Sequence, residues 1–536
     1  MKTGLRIVVL GIPLLALAAW LATAASPGGL AALWTILTTQ RPLLWHTLGY
    51  GLGVAAAATS LAWALAHVQF RYRVPGGRTL RLLYLAPLLV PSFTFAMGLL
   101  ILLGHNGVVT RLLPGIEVYG AVGLVVAGTL CRLPFAYLPL SWAYRRLDRR
   151  QLEAAVALGA APRDAFWQVA LPRLLPILAS TALVVLADAI LDLANPLVIG
   201  GGFTTVAQRL YEAVNGEGDP EAAAAYALLL AVPAVLLGVV ALRVARQPTR
   251  PAPPPPAPEQ PATGWARVLI GVSWTVGGTI LVLLGTVVAG SAVTVAEAGP
   301  RLTLRHFQDL LAGPASRPLA TTLVVSLVAV PVVVVAAFRL AAAAATSDRI
   351  RQTHRLLTAA SALPPAALGV AGLFALNAVS GLAAPTLPVQ VATWSALVVI
   401  VAVHVMRFVP MVALPVLGTA RSLVPAVRDS AIAVGARPAD LDRSVYWPRV
   451  RTELLGGAFT AWARSLTAVS SVILLTNSQV PLLTVRMLTD IDAGRLAPAC
   501  AATVVLAGLV GLAAAGQRLV DAAKAHDRRL VRDGAR

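Results

Sequence analysis

Apolar runs of about twenty residues recur along the whole chain, separated by short polar segments rich in arginine. A run of that length crosses a hydrocarbon core of about 30 Å as a helix. The pattern predicts about twelve spanning helices. Six fall near 5–25, 46–69, 82–104, 119–143, 176–200 and 222–243, and six near 266–292, 319–340, 356–378, 391–415, 454–476 and 496–516. The expected fold class is an all-α polytopic membrane protein in two six-helix halves.

Charge fixes an orientation for these spans. Only 12% of the 536 residues are charged, yet Lys+Arg outnumber Asp+Glu by 43 to 23. The basic residues form clusters between spans, as the positive-inside rule requires, rather than a single stripe that would read nucleic acid. Lys2 and Arg6 place the N-terminus in the cytoplasm. Alternation then places Arg71, Arg73, Arg78 and Arg81 there, with Arg145, Arg146, Arg149 and Arg150, with Arg349, Arg351 and Arg355, and with the basic tail after Arg518. The expected home is a bacterial inner membrane, with both termini cytoplasmic. The first span has a basic start and an Ala22-Thr23-Ala24 stretch resembling a signal cleavage site, but reads here as a retained anchor.

Lys2 and Lys524 are the chain's only lysines, and neither follows a glycine. A P-loop needs Gly-Lys-Ser/Thr to hold phosphate. The chain therefore binds no ATP through such a loop. Cys131 and Cys500 lie in or beside apolar runs and read as buried thiols, with no metal-site spacing. Pro251 to Pro261 reads PAPPPPAPEQP, which favours an extended cytoplasmic tether. It divides the chain into a first half, 1–246, a proline-rich linker, 247–264, and a second half, 265–536.

A repeat carries the mechanism. EAAVALGAAPRDAFWQVALP spans 153–172, and DSAIAVGARPADLDRSVYWP spans 429–448. Glu153 matches Asp429, Gly159 matches Gly435 and Pro172 matches Pro448, each 276 residues apart. Each loop predicts a short helix, a glycine break and a second short helix stopped near proline. Such a bracket protrudes from the membrane and can fit a groove on a partner. Here the chain resembles permease subunits of binding-protein-dependent ABC importers, whose EAA loop runs Glu-Ala-Ala, three residues, Gly, nine residues, a β-branched residue, two residues, Pro. Glu153, Ala154, Ala155, Gly159, Val169 and Pro172 meet it in full. Ala431, Gly435, Val445 and Pro448 meet it in the second loop, where Asp429 and Ser430 replace Glu and Ala. The resemblance implies a type I importer permease fold with pseudo-two-fold related halves. It also implies two separate ATPase subunits that bind ATP and Mg and dock on the loops, and an external solute-binding protein. The chain itself would hold no cofactor and would not be an enzyme.

A narrower resemblance is to fused ferric-iron permeases and their relatives for 2-aminoethylphosphonate, thiamine and polyamines. Leu186 to Gly202, Gly218 to Leu230 and Arg464 to Leu488 look like the fifth helix and following loop of that group. Ferric iron is the solute this favours, with the others as alternatives. No His/Asp/Glu/Tyr cluster in the sequence is suited to holding iron at membrane depth, and His404 reads as a packing or gating residue. Glu212, Glu217, Asp219 and Glu221 form an acidic external loop. A secondary transporter of the major-facilitator plan also has twelve helices in two halves, but it needs no paired brackets. A membrane enzyme would need clustered catalytic groups. In the family resembled, the fifth helix of each half lines the pathway. Asp188 and Arg464 each lie sixteen residues past the loop proline, so they are equivalent in position and opposite in charge. They are expected to face each other across the axis, with Asp192 on the same helix face as Asp188.

Overall fold

The computed structural model describes residues 20–113, 115, 118–245, 264–296, 299–313, 315–345, 350–361, 365–382, 389–421, 430, 433, 435, 444, 446–477 and 479–533. The proline-rich tether and most of the first expected span lie outside these residues. Trp20 to Ala24 is the helical end of that span, and the Trp20 indole donates to the Ala224 carbonyl at 3.3 Å.

The first half runs through α1 (Pro27–Thr39), α2 (Arg41–Arg71), α3 (Gly77–Leu85), α4 (Thr94–Leu103) and α5 (Ala121–Arg145). It continues through α6 (Arg149–Ala157), α7 (Pro162–Ala165), α8 (Leu171–Ile190), α9 (Ala194–Ile199), α10 (Val206–Glu212) and α11 (Pro220–Val244). The second half opens with α12 (Trp265–Ser291) and a two-stranded antiparallel hairpin, β1 (Val293–Ala296) and β2 (Gly299–Leu302). It goes on through α13 (Arg305–Leu311), α14 (Ser316–Ala345), α15 (Ile350–Ser361), α16 (Pro365–Leu382) and α17 (Val389–Arg421). It ends with α18 (Trp447–Leu466), α19 (Leu483–Asp492) and α20 (Leu496–Asp533).

Among the described residues, eight helices are long and apolar enough to cross a membrane, or nine when one bent pair is counted as a span. The expected spans that differ do so for local reasons. The third is bent by 101° between Gly77–Leu89 and Thr94–Leu103. Val90 is extended there because the ring of Pro91 excludes it from the helical region. The fifth and eleventh end early, at Ile190 and Leu466, instead of running to 200 and 476. The ninth is divided into α15 and α16.

Both halves use the same local devices. The Thr47 hydroxyl of α2 receives the Val206 amide at 2.9 Å and donates to the Leu43 carbonyl. The Thr322 hydroxyl of α14 receives the Leu483 amide at 2.9 Å and donates to the Pro318 carbonyl. Thr322 thus anchors the first amide of α19, and Thr47 that of α10, the second short helix after the fifth span, in each case where no intrahelical partner exists. Between the halves, α11 packs on α16, α9 on α19, and α4 on α20. Helix α12 crosses over to lie against α2, α3 and α4 of the first half as well as α20. A Cβ on Gly98 would stand 3.2 Å from the Leu283 carbonyl, tight enough that the two helices would have to give by a few tenths of an ångström. A buried core drawing on both halves results.

Candidate functional site

The first EAA loop is a bracket hung between α5 and α8. Asp148 caps α6 by accepting the Arg150 amide at 3.1 Å. Helix α6 carries Glu153, Ala154 and Ala155 and ends before Gly159, whose φ of +95° lies in the left-handed region. A Cβ there would meet no atom within 4 Å, so backbone conformation, not space, calls for glycine. Leu158 beside it is 90% exposed. Beyond α7 the chain does not stop near Pro172 as expected. It passes through one π-type turn, Phe166–Ala170, into α8, with Pro172 in that helix's first turn where a missing amide costs nothing.

The loop is wired to the bundle by aromatic contacts. Phe166 meets the His67 ring edge-on, with centroids 4.9 Å apart. His67 Nδ1 lies 3.2 Å from the Tyr144 hydroxyl, which also accepts the Trp63 indole N–H at 2.7 Å. Phe166 thus ties the bracket to α2 directly and to α5 through the His67–Tyr144 contact. In the second half Gly435 repeats the positive φ, at +80°, with the same open space around it. Ser430 is exposed, Pro448 stands in the first turn of α18, and Trp447 meets Phe338 edge-on at 5.7 Å. Asp429 and Ala431 lie outside the described residues.

A second site stands between the halves. A cavity of about 110 Å³ is lined by residues of the bent third span, α5, α8, α17, α18 and the chain segments after α8 and α18. Asp188, Asp192 and Arg464 all face it. Asp188 and Arg464 share this cavity, but the ion pair that Asp188 makes is with Arg132 and not with Arg464. Asp188 Oδ2 lies 2.9 Å from Nε of Arg132, an ion pair off the hydrogen-bonding line, and Arg132 Nη2 donates to the Asp188 carbonyl. Arg132 Nη1 donates to Asp192 Oδ2 at 3.1 Å. Asp192 also accepts the Tyr50 hydroxyl and the Asn195 side-chain amide. Arg464 lies with its guanidinium 4.7 Å from the Phe135 ring centroid. Arg132 and Arg407 were not singled out from the sequence. An arginine within an apolar span, opposite acids one turn apart on another span, was the available signal.

His404 is buried with Nδ1 2.9 Å from the Ile400 carbonyl, a local bond within α17. Cys131 and Cys500 are free and buried. Among the described residues no three His, Cys, Asp or Glu side chains gather to hold a metal. Within α10, Arg209 donates to Glu212 at 2.8 Å, and that bond holds its guanidinium above the ordinary value.

Residues 56–247 match the family model described as binding-protein-dependent transport system inner membrane component. The chain is 22% identical to the ferric transport system permease protein FbpB of Actinobacillus pleuropneumoniae over 471 residues, 84% of this chain and 66% of that protein. It is 30% identical to a putative ferric transport system permease protein, FbpB 1, of Haemophilus influenzae over 173 residues, 31% of this chain and 27% of the relative. It is 33% identical to the molybdenum transport system permease protein ModB of Mycobacterium tuberculosis over 217 residues, 38% of this chain and 81% of that relative. The chain thus spans less than two thirds of the length of the two ferric relatives. The matched region contains the whole first EAA loop, whose positive-φ glycine recurs in the second half. The chain belongs to the family of binding-protein-dependent transport system inner membrane components, as an all-α fused permease of two halves.

Proposed function

We propose that this chain is the membrane-spanning subunit of an ATP-driven importer, passing inward a solute delivered by an external binding protein. The paired EAA loops carry the reading. Each presents an open, positive-φ glycine, and the first, which lies between short helical segments, exposes Leu158 and Val156 beside it. Exposed apolar side chains at a polar loop tip suit a partner surface. Two loops call for two ATPase subunits on the cytoplasmic side, which bind the ATP and Mg. The clusters of arginine set both termini on that side, and residues 1–246 and 265–536 act as the two halves. The coupling residues are Glu153, Ala154, Ala155, Gly159 and Pro172 in one loop, and Asp429, Ser430, Ala431, Gly435 and Pro448 in the other. Asp188, Asp192 and Arg464 belong to the translocation pathway. The solute proposed is ferric iron, which the printed names of the two ferric relatives support.

The test replaces Gly159 and Gly435 together with leucine in the chain co-produced with its ATPase subunits. A Cβ is disfavoured at both backbone positions. The variant should insert and purify in normal amount but lose at least tenfold of its uptake, while ATP hydrolysis no longer responds to solute. Normal uptake by the double variant overturns the reading.

A further inference from the structure

The cavity between the halves takes its lining from both of them. Arg132 of α5 and Arg407 of α17 both line it, one residue out of the 276-residue register that relates Pro134 to Pro410, while Leu191 and Thr467 lie in that register. The acids do not repeat. Asp188 matches Arg464, and Asp192 matches Ala468, again at 276. In the first half, therefore, the span-four arginine is enclosed by two carboxylates, at 2.9 and 3.1 Å. In the second half the same arginine has no acid in either equivalent position, and a further arginine stands in one of them.

The groups in direct contact with these two cations are neutral, although the Asp188 carboxylate lines the same cavity. Arg407 donates to the Ser471 hydroxyl at 2.8 Å, and Arg464 lies over the Phe135 ring. Among the described residues no carboxylate comes within 4.0 Å of either guanidinium. Both line the same cavity, with Ser92, Ser470 and Thr467 as further polar groups. Its 110 Å³ is several times the roughly 10–15 Å³ that one water needs. Guanidinium groups present a planar fork of donors that fits an oxyanion better than any other small partner.

We infer that this cavity holds an oxyanion against Arg407 and Arg464. The inference rests on the permease reading and narrows its solute. The oxyanion is either free or supplied by the oxygen ligands of an anionic ferric chelate. Iron therefore crosses with its anionic ligands and not as a bare cation, and cationic solutes such as thiamine or a polyamine are refused. Asp188 and Asp192 more than balance Arg132, and the three arginines outnumber the two acids by one, so the attraction comes from Arg407 and Arg464.

The test uses the full chain in nanodiscs of phosphatidylcholine, equilibrated with molybdate, 2-aminoethylphosphonate, ferric citrate, thiamine or spermidine, with bound solute counted after dialysis. At least one of the first three should bind once per chain, and neither thiamine nor spermidine should. Arg407→Ala and Arg464→Ala should each weaken that binding at least tenfold. Thr467→Asp, which sets a carboxylate in the cavity wall, should do the same and serves where an alanine variant does not fold. Labelled iron and citrate retained together identify a chelate; molybdate or phosphonate retained without iron identifies a free oxyanion, and either result supports the cavity's class. Absence of saturable binding by all three, binding that these substitutions leave unchanged, or retention of spermidine or thiamine overturns it. The loop-glycine test reads coupling whatever the solute's charge, so a failure here leaves the permease reading standing.

Discussion

Arg132 shows how a charge is kept at membrane depth. Its side chain is 4% exposed, and it is held by Asp188, Asp192 and a backbone carbonyl. The two acids are not equivalent. Asp192 is 3% exposed and also serves Tyr50 and Asn195, whereas Asp188 is 57% exposed toward the cavity. Removing one partner of a buried pair leaves the other uncompensated, at a cost of about 3–5 kcal/mol. An exposed pair contributes about 0–1 kcal/mol. Asp192→Ala should therefore lower the unfolding temperature of the purified protein far more than Asp188→Ala, and equal losses would refute the assignment. A double-mutant cycle of Arg132→Ala with Asp192→Ala should show strong non-additivity, while Arg464→Ala with Asp188→Ala should be close to additive.

At the level of the element, the threonine anchors are the clearest repeated device. Thr322→Val removes the acceptor for the buried Leu483 amide, leaving a donor unsatisfied at about 1–3 kcal/mol. Thr47→Val should cost about the same through Val206. Unfolding measurements on the two variants should give similar losses, and a large difference would mean that the two anchors are not equivalent. The long apolar runs, the arginine clusters and the EAA repeat were legible because each is written locally. The ends of the fifth and eleventh spans were not. Hydropathy continues past Ile190 into Leu191-Asp192-Leu193-Ala194-Asn195-Pro196, and only the Asp192 bonds to Asn195 explain the break. The 101° bend at Val90-Pro91 was equally hidden, because proline in an apolar run permits either a kink or a full turn. Of the cavity, Asp188, Asp192 and Arg464 were legible by position. The partner of the two acids was not, because Arg132 reaches them from a different span.

At the level of the molecule, the halves interlock. Helix α12 begins the second half yet lies on α2, α3 and α4 of the first, and α11, α9 and α4 each meet an element of the other half. A protease site placed between Pro251 and Pro261 and cut after purification should leave the two fragments migrating as one particle in size-exclusion chromatography. Separation on cutting would mean that the linker, not packing, keeps them together.

Two identical subunits around a two-fold axis can show a solute only charge patterns that repeat after half a turn. Joining the halves lifts that restriction, and the matched pair Asp188 and Arg464 uses the freedom. The cavity consequently has a polarity across its width, with two acids around one arginine on one wall and two arginines without a contacting acid on the other. If the cavity is the passage proposed above, a solute with its negative group at one end would be turned as it enters, and every molecule would make the crossing facing the same wall.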